Sequence, residues 1–215
     1  MDVSVIIPYN KDRGFLEDAV KSYKSQIFGG STELILSYNA DFSQGRNINN
    51  ALSKVRGKYI KILHDDDILA SNCICDLFSA AENTASDIVF AEAENFSDGS
   101  IDEREFISHY VPKLTEEISL NSLMKMNFIH GATTLYRTKM VMDLGGYDEN
   151  LWTAEEYEFH LRCAANGYKF HYEPKIVARY RVWDQSKSII DRANQIEKRN
   201  DYIQSIVNRF KSSKS

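Results

Sequence analysis

The chain has 215 residues, 43% of them hydrophobic and 27% charged, with a net charge of -5. This is an ordinary globular mix that excludes a disordered chain, and the acidic balance lacks the basic footprint of a nucleic-acid binder. Cys73 and Cys75 are spaced C-x-C and Cys163 stands apart. Neither a disulfide framework nor a zinc site follows, and a reducing, cytoplasmic setting is expected.

In chain order, the apolar run VSVIIP at 3–8 predicts a buried strand, too short and too acidic at its start for a signal peptide. The segment GFLEDAVKSYKSQ puts Phe15, Leu16, Ala19, Val20 and Tyr23 on one helical face. TELILSY at 32–38 predicts a second strand. SQGRNINNALSKV then predicts a helix capped by Ser43 and packed through Ile48, Ala51, Leu52 and Val55. KYIKIL at 58–63 is a third strand, SNCICDLFSAAENT a helix and DIVFAEA at 87–93 a fourth strand. Strands alternating with helices of this length imply an α/β domain with a mainly parallel sheet flanked by helices.

Residues 97–118 are polar and irregular, as a loop or small hairpin would be. A second block follows: helix SLNSLMKM, strand ATTLYR, a turn at GGYDEN, helix AEEYEFHLRCAAN and the strand-rich KFHYEPKIVARYRV. From 187 onward Ile189, Ala193, Ile196, Ile203, Val207 and Phe210 recur at helical spacing, and seven Lys or Arg against three Asp or Glu give this segment a net charge of +4. Such a helix packs on its own domain, pairs two copies, or lies against an anionic membrane surface; the absence of Trp weighs toward packing. No run approaches the length of a membrane span.

Asp65, Asp66 and Asp67 follow the third strand directly. At ~4 Å each like-charged pair costs about 1 kcal/mol even in water. One N-cap accounts for one aspartate, not three. Open parallel sheets bind ligands beyond the carboxyl ends of their strands, and carboxylates there suit Mg²⁺ or Mn²⁺ sharing its shell with phosphate oxygens. The chain has neither G-x-G-x-x-G nor G-x-x-x-x-G-K-[ST], so a nucleotide diphosphate here needs neutralising in another way, and a cation supplies it. Glu155 and Glu156 open a helix, where its dipole favours their ionised form. On spacing alone they are ordinary first-turn acids, or a general base.

In order, VSVIIPYN, SQGRNINNALSKVRGKYIKILHDDDIL, LGGYDENLWTAEEYEFHLRCAANGYKFHY and ARYRVWDQSKS resemble the motifs of a family-2 glycosyltransferase of the GT-A fold, over residues 3 to about 188. The resemblance implies a Rossmann-like nucleotide-sugar-binding half (1–96), an acceptor and catalytic half (97–186) and a C-terminal amphipathic helix (187–215). It implies inverting transfer of a sugar from a nucleotide-diphosphate donor, a UDP-sugar for preference, to a hydroxyl of a saccharide or glycoconjugate. Pro8, Tyr9, Asn10 and Asn39 would line the nucleoside pocket, with Arg46 and Asn47 near the ribose or diphosphate. Asp65, Asp66 and Asp67 would supply the D-x-D metal motif for Mn²⁺ or Mg²⁺. Glu156 would be the base, with Glu155 orienting or capping.

The sequence departs from that pattern at four places. The aspartates that usually end the second strand are replaced around Ser37, Tyr38 and Asn39, the acidic pair at the helix is Glu-Glu rather than Glu-Asp, and His64 stands where the first Asp of D-x-D is common. The residue at 183, a His in many relatives, is Trp. A nucleotide-sugar nucleotidyltransferase, which lacks its glycine-rich opening here, and an inactive donor-binding module are the alternatives.

Overall fold

The computed structural model describes residues 1–97, 99 and 118–211, without the side chains of 187–189 and 191–195. The expected loop or hairpin at 97–118 therefore falls almost wholly outside the described residues. Strand β1 (Val3–Tyr9) is followed by helix α1 (Leu16–Lys24), strand β2 (Thr32–Tyr38), helix α2 (Gln44–Leu52) and strand β3 (Tyr59–Ile62). A two-residue strand β4 (Ile68–Leu69), helix α3 (Cys73–Thr84) and strand β5 (Ile88–Ser97) complete the first block. The second block holds helix α4 (Leu120–Lys125), a 3-10 turn (Gly131–Thr133), strand β6 (Leu135–Arg137), helices α5 (Thr138–Asp143) and α6 (Glu155–Ala165), strand β7 (Phe170–Val182) and helix α7 (Lys187–Lys211).

The strands form one sheet in the order β2-β1-β3-β6-β5-β7-β4. β1 runs parallel to both β2 and β3, which is the part that strand–helix alternation predicts. Beyond it the sheet is mixed: β6 enters antiparallel between β3 and β5, β7 lies parallel to β5, and β4 pairs antiparallel with β7. Because the chain leaves β1 toward β2 and returns on its other side as β3, the strand order reverses at β1. A crevice opens at such a reversal.

Alternation along β1 sends Val3, Val5 and Ile7 to one face and Ile6 to the other. The first face packs on Ala19 of α1 and on Cys73, Ile74, Leu77 and Ala81 of α3. The second packs on Ile48 and Ala51 of α2, Met140 and Val141 of α5, and Phe159 and Cys163 of α6. A third cluster joins Phe90 and Leu123 to Leu161 of α6 and to Ile206 and Val207 of α7. Packing on its own domain is thus what the structure shows for the C-terminal part of α7, while Ile196 is half exposed. Ser43 caps α2 as expected, accepting a hydrogen bond from the Arg46 amide at 3.2 Å.

Candidate active site

A cavity of about 950 Å³ opens where β1 and β3 end and α6 begins. Pro8, Tyr9 and Asn10 reach it from the end of β1, Asn47 from α2, His64, Asp65 and Asp66 from the segment after β3, and Glu155 and Glu156 from the first turn of α6. Asn47 ties the strand ends together: its amide nitrogen donates to the carbonyls of Tyr9 (3.3 Å) and Asn39 (3.2 Å), and its own carbonyl accepts from Ser37 Oγ at 2.7 Å. Asn47 Oδ1 is buried without a hydrogen-bond partner.

Two expected residues are placed elsewhere. Arg46 turns outward to Glu149 at 3.4 Å and lies over the Phe42 ring, because the next residue on α2, Asn47, takes the inward position. Asn39 closes a turn, its Oδ1 accepting from the Asp41 amide at 2.9 Å, and it does not line the cavity.

The three aspartates are divided among three partners. Asp65 meets Arg13 at 3.0 Å. Burial and the Asp66 charge raise its pKa against the pull of Arg13. Asp66 Oδ2 accepts from the Trp183 indole at 3.2 Å, and its carbonyl accepts from Arg181 Nε at 2.9 Å. Asp67 does not line the cavity and is 0% exposed. Its Oδ1 accepts from the Arg181 amide at 3.0 Å, and Oδ2 lies 3.3 Å from His64 Nδ1. Desolvation raises its pKa, as burial of a carboxylate should. Asp67, expected with its neighbours around a metal, is thus placed toward the sheet, where β4–β7 pairing turns it. Among the described residues no three His, Cys, Asp or Glu side chains come together as a metal-holding group.

Glu156 meets His64 at 2.9 Å, from Oε1 to Nε2, with the Gln44 amide nitrogen 3.0 Å from the same ring nitrogen. Burial works against the Glu156 charge, yet the positive charge and hydrogen bond of His64, with His160 and Lys61 behind, hold its pKa below the ordinary glutamate value. The same two carboxylates, Glu156 and Asp67, outweigh burial at His64 and lift its pKa well above the usual imidazole value. Both shifts favour a carboxylate acceptor facing a ring N–H donor. Ala154, just before α6, has φ 62°, a left-handed backbone that costs about 1–2 kcal/mol for a residue with a Cβ. Its strain sets the start of the helix that carries Glu155 and Glu156.

Sequence reasoning missed the other side of the glutamate. Gly131 lies so close that a Cβ there would overlap the Glu156 carboxylate. The turn carrying Gly131 is held by Lys61, whose fully buried Nζ donates to the carbonyls of Ile62 (2.8 Å) and Ala132 (2.6 Å). A Lys inside an otherwise apolar strand was the available signal. Trp152 and Tyr157 both line the cavity; Trp152 also packs on Tyr202 of α7, and the Tyr157 hydroxyl donates to the Leu123 carbonyl at 2.7 Å. Met124, Ile129, Ile203 and Val207 add apolar lining.

A family model described as glycosyl transferase family 2 matches residues 35–145, more than half of the chain. An uncharacterized glycosyltransferase of Methanocaldococcus jannaschii, MJ1057, is 25% identical over 183 residues, covering 83% of this chain and 59% of its own length. The crystal structure of S. aureus TarS 1-349 in complex with UDP-GlcNAc superposes with a TM-score of 0.68 at 16% identity, over 86% of this chain and 60% of that one. The mannosyltransferase PcManGT from Pyrobaculum calidifontis, in complex with GDP-Man and Mn²⁺, gives 0.62 at 13% identity, over 86% of this chain and 58% of its own. At such identities these two establish a shared fold, and this chain spans about three fifths of each relative's length.

Proposed function

The chain belongs to glycosyl transferase family 2, and from that premise we propose that it transfers a sugar, with inversion, from a nucleotide-diphosphate donor to a hydroxyl of a saccharide or glycoconjugate acceptor. The observation that carries this reading is one cavity holding both Glu156, hydrogen-bonded to His64, and the adjacent carboxylates Asp65 and Asp66. In this reading Pro8, Tyr9, Asn10 and Asn47 face the nucleoside, with the unpartnered Asn47 Oδ1 offering an acceptor. UDP-sugars are the first donors to try, since relatives of this fold have been solved with UDP-GlcNAc as well as GDP-Man.

Two hard carboxylates side by side fit a Mg²⁺ or Mn²⁺ ion whose remaining ligands are diphosphate oxygens and water. Asp65 and Asp66 would hold it, and the bound ion would neutralise charge developing on the departing diphosphate. Arg13 lies 3.0 Å from Asp65, placing a fixed positive charge at that end of the cavity. Glu156 takes the proton from the acceptor hydroxyl as its oxygen bonds the anomeric carbon and the bond to the diphosphate breaks. With one candidate base and no second nucleophile assigned, a single displacement inverts the anomeric centre.

Residues 1–96 act as the donor half and 97–186 as the acceptor half, with the C-terminal helix packed beside the acceptor end. No described helix is long and apolar enough to cross a membrane. A cytoplasmic protein, with α7 available for a dimer or a membrane surface, is the setting we propose.

The test is a thermal-shift panel of UDP-, GDP- and dTDP-sugars with and without Mn²⁺. A ligand at 100 times its Kd stabilises by about 2.7 kcal/mol. Metal-dependent stabilisation by one nucleotide family is expected. Equal stabilisation in EDTA would remove the cation, and no stabilisation by any donor would remove the donor site.

A further inference from the structure

We propose that His64 is the positioning residue for Glu156: its imidazole, set between the glutamate and the buried Asp67, holds the carboxylate by Oε1, so that Oε2 meets the acceptor hydroxyl. The inference rests on the reading of Glu156 as the base and goes further, by assigning a role to a residue that reading leaves idle.

The bridge has a fixed far end. Asp67 is 0% exposed, and its Oδ1 is occupied by the Arg181 amide at 3.0 Å, so the carboxylate beside His64 Nδ1 is held by the β7 backbone. At the near end the distance is 2.9 Å from His64 Nε2 to Glu156 Oε1. The glutamate carboxylate also lies against Gly131, whose missing side chain leaves the room it occupies. A glutamate has one more rotatable bond than an aspartate, and a base that wanders by ~1 Å forfeits about 10²-fold in rate. Gly131 and His64 together confine it.

Two departures from the family pattern thus touch each other. An aspartate at 64 would end on the Nδ1 side, setting its carboxylate against Asp67 and leaving Glu156 without the ring N–H that donates to it at 2.9 Å. The longer side chain at 156 and the donor at 64 make sense as a pair.

Two amide variants separate the ends of the bridge. The amide of His64→Gln superimposes on the Nε2 side and can still donate to Glu156; that of His64→Asn superimposes on the Nδ1 side and reaches Asp67 alone. Single-turnover transfer at saturating donor and acceptor is measured beside donor titration, for each variant alone and combined with Glu156→Gln. His64→Asn is expected to transfer ~10–100-fold more slowly with donor affinity within about twofold of the parent, and His64→Gln to recover most of that loss. In the Glu156→Gln background His64→Asn should cost less than about twofold further, since nothing is left to position. Equal rates for the two amide variants, or a His64→Asn loss that persists undiminished in the Glu156→Gln background, would overturn the proposal. Glu156→Gln alone is the control on the underlying reading: if it transfers at the parental rate, the base lies elsewhere and both fall. If it is inactive while His64→Asn is unaffected, only the role of His64 falls.

Discussion

Two acidic turns face the same cavity and are built in opposite ways. After β3, Asp65, Asp66 and Asp67 are consecutive, and each is drawn to a different partner far along the chain: Arg13, Trp183 and Arg181. At the start of α6, Glu155, Glu156 and Glu158 are spread by the helix itself, about 100° per residue. Glu158 is taken by Arg162 at 3.0 Å on the same helix, and Glu156 alone turns to His64. Long-range partners decide the role of each acid in the first turn, and helical geometry decides it in the second. Adjacency in sequence therefore says little about shared chemistry until the partners are known.

The largest expected effect lies in the second turn. Glu156→Gln keeps the shape of the side chain but removes the proton acceptor, so transfer should fall ~10²–10⁴-fold while donor and metal binding persist. Glu155→Gln should cost less. Single-turnover rates with parallel donor titrations check both. A parental rate for Glu156→Gln beside an inactive Glu155→Gln would reverse the assignment.

Next comes the wall behind that glutamate. Gly131→Ala places a methyl where the Glu156 carboxylate now lies, and the carboxylate has to move. A loss of ~10²-fold in kcat with unchanged donor affinity is expected, because the displacement touches the base and not the nucleotide end. A Gly131→Ala protein with parental kcat would show that the position of Glu156 is not critical.

The first turn should split under the same treatment. Asp66→Asn is expected to weaken metal-dependent nucleotide binding at little cost in stability. Asp67→Ala, which leaves the buried Arg181 amide without its acceptor, should lower stability by about 1–3 kcal/mol. Chemical denaturation and nucleotide titration on both variants give a two-by-two comparison. If Asp67→Ala melts like the parent and loses nucleotide instead, Asp67 belongs to the ligand site after all.

Much of this architecture is legible in sequence. The run of Val3 to Ile7 and the helical stripes at Ile48 and Ala51, or Ile74 and Leu77, announce their elements because one chain segment carries the whole periodic signal. What could not be read depends on pairing across the fold. β4 is two residues long and exists only through Ile68 and Leu69 meeting Arg179 and Ala178. β6 reads as a strand, but its antiparallel insertion between β3 and β5 has no local signature. The inward turn of Asp67 could not be read for the same reason, since it is settled by Arg181, far along the chain. The helical argument that separates Glu155 from Glu156 needs only the pitch of α6.

The smallest effect comes from a carboxylate outside both turns, which calibrates what a purely structural acid does. Glu33 on β2 accepts from Ser4 Oγ at 2.6 Å, from the Arg56 amide at 2.8 Å and from the Arg56 guanidinium. Burial raises its pKa, but these hydrogen bonds and the Arg56 charge outweigh it, and the net shift is downward. A carboxylate whose folded pKa is depressed binds its proton more readily in the unfolded chain. Its stabilisation is fully present above the unfolded glutamate value of about 4.3 and is lost as pH falls through the lower folded value. Glu33→Gln should therefore reduce stability at neutral pH and converge on the parent in acid, with transfer rate and donor affinity unchanged throughout. Denaturation midpoints at several pH values beside one activity measurement decide it. A stability gap that stays constant down to the acid limit would mean that packing, and not the charge on Glu33, is what the substitution removes.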